Sequence, residues 1–282
     1  MSVEEISLQA LSRQKLDEAH ALSRAVAWPH RREDWETMFE LGQGFAALGR
    51  DGRLQGVAMW WPQGSDFATL GMVIVSPTLQ KAGLGRRLMD ATLRAAGSRS
   101  VQLNATEAGL KLYRSLGFEE TGGIHQHHGS LSPAAVAVDG AARVRPLVAA
   151  DHGALRALDR HASGVDRSGV LQVLLPLSAG FALDGPNGLA GYLLVRDFGR
   201  GTLLGPLVAQ DEGSALELLS HAAVATGGFL RADIPDDAAR LAQWLEGAGL
   251  APVSAVRTMV RGPRPVRAGG AHIFGLVSQA LG

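Results

Sequence analysis

The second half of this chain repeats the first, and an internal duplication restricts the fold more than any single motif does. Gly44-Phe45-Ala46-Ala47 is answered by Gly180-Phe181-Ala182-Leu183, and Gly56-Val57-Ala58-Met59 by Gly191-Tyr192-Leu193-Leu194. Gly71-Met72-Val73-Ile74-Val75 is answered by Gly205-Pro206-Leu207-Val208-Ala209, so the offset drifts only from 136 to 134 residues. Such regularity argues for duplication over chance similarity. Before these blocks, Ile6 to Leu11 and a helix pattern through Leu16, Ala19 and Leu22 are echoed by Val144 to Leu147, Leu155 and Leu158. After them, Leu230 to Pro235 and the pattern through Trp244, Leu245 and Leu250 stand where Leu103-Asn104 and the helix of Tyr113 stand in the first copy. Strand-like runs alternating with helical stripes predict two copies of one α/β fold. A chain of 282 residues also exceeds a typical single domain. The joint is the Ala/Ser-rich stretch from Ser130 to Ala142, which divides the chain into 1–135 and 136–282.

Within the first copy, the run from Val73 to Arg86 carries the chemistry. Val73-Ile74-Val75 is apolar and β-branched, Pro77 ends it, and Gln80-Lys81-Ala82-Gly83-Leu84-Gly85-Arg86 leads into a helix pattern through Leu84, Leu88, Ala91 and Ala95. A strand feeding a glycine-bearing loop at a helix start offers unpaired backbone N–H groups and the positive end of a helix dipole to phosphate. Gly83 and Gly85 lack the β-carbon that would hold a pyrophosphate off the backbone. A P-loop requires Lys then Ser or Thr after the last glycine, and here Arg86 and Arg87 follow. A dinucleotide fingerprint requires a small residue at Leu88.

The stretch resembles the acetyl-CoA pyrophosphate loop of the GNAT superfamily of N-acetyltransferases, with Gln80, Gly83 and Gly85 on the pattern and Pro77 ahead of it. About twenty residues on, Val101-Gln102-Leu103-Asn104-Ala105-Thr106 reads as a short strand, and Gly109 to Phe118 as a short helix closing on Leu116-Gly117-Phe118. Thr106 suits the N-cap and Gly117 the C-cap. This is similar to the second signature of the same superfamily, in the expected order and distance. The resemblance covers at least residues 40 to 129 and implies two tandem GNAT-type domains, each a mixed, twisted β-sheet flanked by helices. It implies acetyl-CoA as co-substrate, with no metal. It places Met72, Val73, Ile74 and Val75 on the strand that polarises the thioester carbonyl, and Gln80, Lys81, Ala82, Gly83, Leu84, Gly85 and Arg86 around the pyrophosphate. It sets Asn104 near the pantetheine arm and Tyr113 near the thioester sulfur. A tyrosine with a reference pKa near ~10 stays protonated at neutral pH and can donate to a departing thiolate. Tyr113 also lies at the edge of the stripe of Ala105, Ala108, Leu112 and Leu116, so a packing role stands beside the catalytic one.

Charge and composition exclude several classes. Lys plus Arg equals Asp plus Glu at 27 each, with 14 against 14 up to residue 135 and 13 against 13 beyond it. Neither half has the excess expected of a nucleic-acid or anionic-membrane binder. With no cysteine there is no disulfide, thiolate metal site or thiol nucleophile. The acidic Glu4 and Glu5 oppose a signal peptide, and Gln172, Pro176 and Ser178 interrupt the longest apolar stretch, Val170 to Leu183, so a cytoplasmic protein is expected. The partners implied are a small-molecule or peptide amine and, as an open possibility, a second copy in a homodimer.

The copies diverge at the chemistry. After Ala209 come Gln210-Asp211-Glu212-Gly213-Ser214-Ala215, whose carboxylates satisfy a helix dipole themselves and repel a pyrophosphate. Gln243 or Trp244 stands roughly where Tyr113 stands. The second copy therefore resembles a degenerate GNAT domain, with Gly262 to Gly270 as the loop before a closing strand from Ile273 to Gly282. No general base is assigned. His30, Glu33 and Asp34 fall where the acceptor site often lies and read first as solvated surface; Asp166 and Arg167 answer His30 and Arg31. His125 and His127 share a strand face with no third ligand evident, and His128 takes the other. Of the adjacent Trp60 and Trp61, one should face the core and the other is left to floor a pocket or to pack. The reading is an acetyl-CoA-dependent N-acetyltransferase acting on a primary amine; the alternative is an acyl-CoA-binding sensor or pseudoenzyme without turnover.

Overall fold

The computed structural model describes residues 5–138 and 143–282. Glu4 and the 139–142 part of the joint lie outside them. The first copy runs β1 (Ser7–Ala10), α1 (Leu16–Ala25), α2 (Arg32–Leu41), β2 (Gln43–Leu48), β3 (Leu54–Gln63), β4 (Phe67–Val75), α3 (Leu84–Ala96), β5 (Ser100–Ala105), α4 (Leu110–Ser115) and β6 (Glu119–Ser130). The second repeats it as β7 (Val144–Pro146), α5 (His152–Ser163), α6 (Ser168–Leu174), β8 (Ala179–Gly185), β9 (Gly188–Asp197), β10 (Thr202–Ala209), α7 (Glu212–Thr226), β11 (Phe229–Pro235), α8 (Ala239–Gly247) and β12 (Ala251–Arg261), and adds β13 (His272–Gly275). The duplication read from the glycine-led blocks is thus a duplication of whole elements. Among the described residues no helix is long and apolar enough to cross a membrane.

The strands form one mixed, twisted sheet in the order β1-β2-β3-β4-β5-β12-β6-β11-β10-β9-β8-β7, with β13 on β10. The order carries an exchange. β12, from the second copy, pairs antiparallel with β5 of the first, from Arg257↔Ala105 to Arg261↔Val101. β6, from the first copy, pairs antiparallel with β11 of the second, from Phe229↔Ser130 to Pro235↔Ile124. β6 and β12 pair with each other at the centre. The joint in sequence is therefore no gap in the sheet.

Helices cover both faces, as alternating strands and helices require. On one face, Leu16, Trp35, Met38 and Trp61 of the first copy share a core with Leu155, Leu171, Tyr192 and Leu203 of the second. On the other, α3 and α4 close over Leu70, Leu103 and Met259 of β12, while α7 and α8 pack on Leu204, Leu207 and Ile234. The stripe of α3 buries Leu84, Leu88 and Ala91 as expected, but ends on Ala96, leaving Ala95 exposed.

Candidate active site

β4 pairs in parallel with β5 only at Phe67↔Ser100, Ala68↔Val101 and Thr69↔Gln102. Beyond Thr69 the strands part, and the Leu70–Val75 edge has no β5 partner. On the β3 side the register slips between Val57↔Ile74 and Met59↔Gly71, so β4 carries an extra residue. Met72 sits in this bulge at φ 52, a left-handed conformation unusual for a non-glycine residue. Met72 and Ile74 are buried, Val73 and Val75 half-buried. Bulges re-aim groups out of a ladder, and this one lies where the sheet opens.

From Val75 the chain passes a 3₁₀ turn at Pro77–Leu79 to α3. Gln80 Nε2 donates to the Val75 carbonyl at 3.4 Å. Lys81, Ala82 and Gly83 are exposed, with Lys81 at φ 64 and Gly83 at φ 90. Leu84 anchors the first turn in the core. No side chain caps α3, and no acid stands in its first turn. A β-carbon at Gly83 would meet nothing within 4 Å, and one at Gly85 would meet only Leu112 and Val75, at 3.6 and 3.8 Å. Internal packing therefore does not demand glycine at 85; bare backbone facing outward suits the approach of a pyrophosphate. The Arg86 guanidinium turns to Ser115 Oγ (3.0 Å) and Asp90 (3.6 Å), leaving its backbone to the loop.

Tyr113 sits on α4, its ring edge-on to Phe118 at a centroid distance of 6.0 Å. Gly109 makes room for it: a β-carbon there would lie 2.5 Å from the ring. Burial pushes the phenol up to about 12, so it is protonated throughout the physiological range. Gly117 takes φ 83 just past the helix, which suits its place in Leu-Gly-Phe, whereas the Thr106 side chain makes no capping bond. Asn104 lies beside the opening, lining a cavity together with Met72, and its side chain is hydrogen-bonded at both ends. Its Nδ2 donates to the Gln279 carbonyl at 2.8 Å and its Oδ1 accepts from Thr258 Oγ1 at 2.7 Å. Strand alternation turns it away from Leu103 and the α4 side, so its side chain is committed to the second copy.

On the opposite face of the opening lies a cavity of about 460 Å³ between the copies. The first copy contributes Trp28, His30, Met72 and Gln126, and the second Phe198, Arg231 and Gln279. His30 is no solvated surface residue. Its ring lies 5.8, 6.4 and 5.6 Å from those of Trp28, Trp35 and Phe198. Its buried Nδ1 has no hydrogen-bond partner among the described residues. Burial lowers its pKa to about 4, against an opposing pull from Asp34, so the ring is neutral at pH 7. Asp34, also read as surface, is buried. It accepts from the backbone N–H of Arg31 (2.7 Å), the Arg31 guanidinium (2.8 Å) and the N–H of Gly199 (2.7 Å), tying α2 to the β9–β10 turn. Glu33 stays exposed.

The second copy has lost this machinery position by position. Pro206 stands where Met72 stands in the matching bulge, and proline has no N–H to offer. β10 and β11 pair only at Thr202↔Leu230 and Leu203↔Arg231, and β13 fills the rest by pairing with Leu207, Val208 and Ala209. Asp211 caps α7 through the N–H of Ser214 at 2.7 Å, and Glu212 accepts from the N–H of Arg240 at 2.8 Å. Only His272–Gly275 of the closing run is strand. From Leu276 the chain crosses to the first copy, where Ala280 packs on Gly71 and Gln63 Nε2 donates to the Leu281 carbonyl at 2.8 Å. Arg167 is buried against Asp159 and donates to the Gly282 carbonyl at 3.1 Å, and Asp166 accepts from the Ser168 N–H, so neither reaches the cavity beside His30. Trp60 and Trp61 are both buried, which removes the exposed tryptophan left open by the sequence. His127 is buried beside the Leu250 carbonyl (3.2 Å) and His128 lies tilted against Phe229, while His125 is exposed. Arg231, Phe198 and Gln279 escaped sequence reasoning because only the assembled copies bring them to the cavity; Trp28, two residues before His30, offered the one local signal.

A parted parallel strand pair, a bulge at the opening, an uncapped glycine-bearing helix start and a half-buried tyrosine suit an acyltransferase of the acetyl-CoA type. Family comparison agrees: residues 42–120 and 155–275 each match a model described as an acetyltransferase (GNAT) domain. The chain is 30% identical over 221 residues to YitH of Bacillus subtilis (strain 168), an uncharacterized N-acetyltransferase, covering 77% of both proteins. It belongs to the GNAT superfamily, as a tandem acetyltransferase. In fold it is similar to a putative acetyltransferase from Pyrococcus horikoshii (TM-score 0.80, 20% identity, 99% of this chain and 96% of that one). It is also similar to a tandem GNAT protein from the clavulanic acid biosynthesis pathway (TM-score 0.63, 13% identity, 92% and 99%).

Proposed function

We propose that the chain acetylates a primary amine by direct attack on the thioester of acetyl-CoA, with the cofactor in the first copy and the acceptor between the copies. The observation that carries this reading is a pair of unlike gaps: the β4–β5 opening keeps a free strand edge, whereas β13 fills the β10–β11 opening. The N–H groups from Gly83 to Arg86 and the α3 dipole hold the pyrophosphate. The Met72–Val75 edge aligns the pantetheine arm, and an N–H at the bulge polarises the thioester carbonyl.

In the reaction the amine nitrogen bonds the carbonyl carbon, the C–S bond breaks, nitrogen loses a proton and sulfur gains one. His30 faces the same cavity as Met72 and takes the nitrogen's proton. With a pKa of about 4 it cannot deprotonate a free alkylammonium near ~10.4, which is uphill by roughly 9 kcal/mol. It acts instead on the far more acidic N–H of the adduct, and the acceptor enters through its small neutral fraction. Tyr113 donates to the departing sulfur. Complete transfer from a phenol at about 12 to a thiolate near ~8.5 costs about 5 kcal/mol, so its contribution is a hydrogen bond that strengthens as charge develops.

Calorimetric titration tests the reading. One acetyl-CoA should bind per chain, and Gly85→Val should weaken it at least about tenfold while leaving the melting temperature near that of the parent. Two equal sites, or unchanged affinity in the variant, would refute it.

A further inference from the structure

We infer that the acceptor is a compact amine carrying an anionic group, held at that group by Arg231 in the cavity between the copies. The inference rests on the reading that this cavity takes the acceptor. At about 460 Å³ the cavity suits a small molecule. Arg231 is the one charged side chain among its described lining residues; the rest of the wall is aromatic, aliphatic or neutral polar, with Trp28, His30, Phe198, Met72, Asn104 and Gln126 among it.

The charges behind this wall are arranged unevenly: a guanidinium lines the cavity and the carboxylates do not. Arg231 is buried and donates through Nε (3.2 Å) and one Nη (2.6 Å) to a single oxygen of Asp233. The other oxygen of Asp233 accepts from Gln126 (3.0 Å) and Gln279 (3.3 Å), so this fully buried carboxylate is saturated and does not line the cavity. The second Nη of Arg231 makes no hydrogen bond among the described residues. Arg196 is buried beside it, and both guanidinium carbons lie within 5.5 Å of the Phe198 ring centroid. Among the described residues Arg196 donates to the carbonyls of Gly205 and Val277 and makes no direct carboxylate contact, though Asp34 and Asp233 act on it through space. Asp34, buried and hydrogen-bonded to Arg31 and the N–H of Gly199, also acts on Arg196. His30 is neutral. Asp34 and Asp233 together offset the buried Arg196 and Arg231, but neither carboxylate lines the cavity, so Arg231 meets it with an Nη that no protein group takes up among the described residues.

The remaining Nη of Arg231 is a donor left over at a desolvated wall, and an anion entering from the cavity takes it up through a charge-assisted contact. A second ammonium would face Arg231 with no carboxylate on the wall to offset it among the described residues, leaving it only aromatic rings and neutral polar groups. Polyamines and aminoglycosides would bring further positive charge against a positive, desolvated surface. Amino acids and their sulfonate or phosphate counterparts match the wall.

The test uses the full chain and thiol release from acetyl-CoA. The panel holds the proteinogenic amino acids, their carboxamides and decarboxylated amines, taurine, phosphoethanolamine and spermidine. The best anionic amine should exceed its uncharged counterpart in kcat/KM by about 10²-fold or more. Taurine or phosphoethanolamine in first place would identify the anion as sulfonate or phosphate in place of carboxylate. The paired variant Arg231→Gln with Asp233→Asn, which leaves no lone buried charge, should bring that ratio toward one. A carboxamide, decarboxylated amine or spermidine used as well as every anionic amine overturns the inference while leaving the acetyltransferase reading intact. Acetyl-CoA binding with no thiol release from any amine overturns the acetyltransferase reading, and the inference with it.

Discussion

Met259 belongs to the second copy by sequence and to the core of the first by structure, which makes Met259→Ala a sharp probe of the strand exchange. Its side chain is fully buried on β12 among Leu70, Met89, Val101, Leu103 and Phe118. Truncation removes three heavy-atom groups, worth about 2.4 kcal/mol in transfer free energy. The cavity left behind adds to this, and buried Met→Ala changes cost roughly 2–5 kcal/mol in total. If all 282 residues melt as one unit, the unfolding entropy is about 0.6 kcal/mol/K, and a loss near 3 kcal/mol lowers Tm by about 5 °C. Differential scanning calorimetry should show one transition moving by that amount, with acetyl-CoA protection shifting alongside it. Two transitions, with only one displaced and the acetyl-CoA-protected one unmoved, would refute the claim that β12 completes the first copy.

Two further outcomes follow from the site. Tyr113→Phe keeps the ring against Phe118 and Gly109 and removes only the donor, so kcat should fall on the order of 10²-fold while acetyl-CoA affinity holds; normal turnover across neutral to alkaline pH would make Tyr113 a packing residue. The folded-state pKa of His30, about 4, lies below its unfolded value near ~6.5. Its contribution to stability is therefore complete above pH 6.5 and is lost as pH falls toward 4, with about 2 kcal/mol gone by pH 5. Urea unfolding of the parent and His30→Gln at pH 7 and pH 5 isolates that amount, and parallel losses in the two proteins would show that His30 is not held neutral.

Local pattern made the repeat, the glycine loop and the bulge strand legible, because each is written in residues close together in the chain. What it could not supply was partnership. Alternation alone turns Asn104 to the face opposite Leu103, but its partner Gln279 is 175 residues away. His30 reads as surface beside Arg31, Arg32 and Glu33; packing against Trp35 and Phe198 draws it half out of solvent. The closing run reads as ten residues of strand, yet the N–H of Leu276 leaves the ladder for the Asp233 carbonyl, and the rest crosses to the first copy. The exchange of β6 and β12 left no trace for the same reason: an antiparallel strand of either copy satisfies the same edge.

That exchange decides what a fragment ending near Ala135 would do. In the intact chain β6 is flanked on both sides by strands of the second copy, and the free edge of β5 is covered by β12. Cutting at the joint removes β12, with Met259 from the core under α3 and α4, and leaves β6 with no partner in its native place. It also strips Leu155, Leu171 and Tyr192 from the core around Trp35 and Met38. Two exposed strand edges beside an uncovered apolar face favour pairing between copies. The fragment is expected to self-associate or aggregate and to bind acetyl-CoA poorly. Co-expression with residues 136–282 should restore a soluble complex, since the missing strand is then supplied in trans. Size-exclusion chromatography and calorimetry read both outcomes. A monomeric fragment that melts cooperatively and binds acetyl-CoA as the full chain does would mean that β6 folds back onto β5 by itself, and that the second copy is dispensable to the cofactor site.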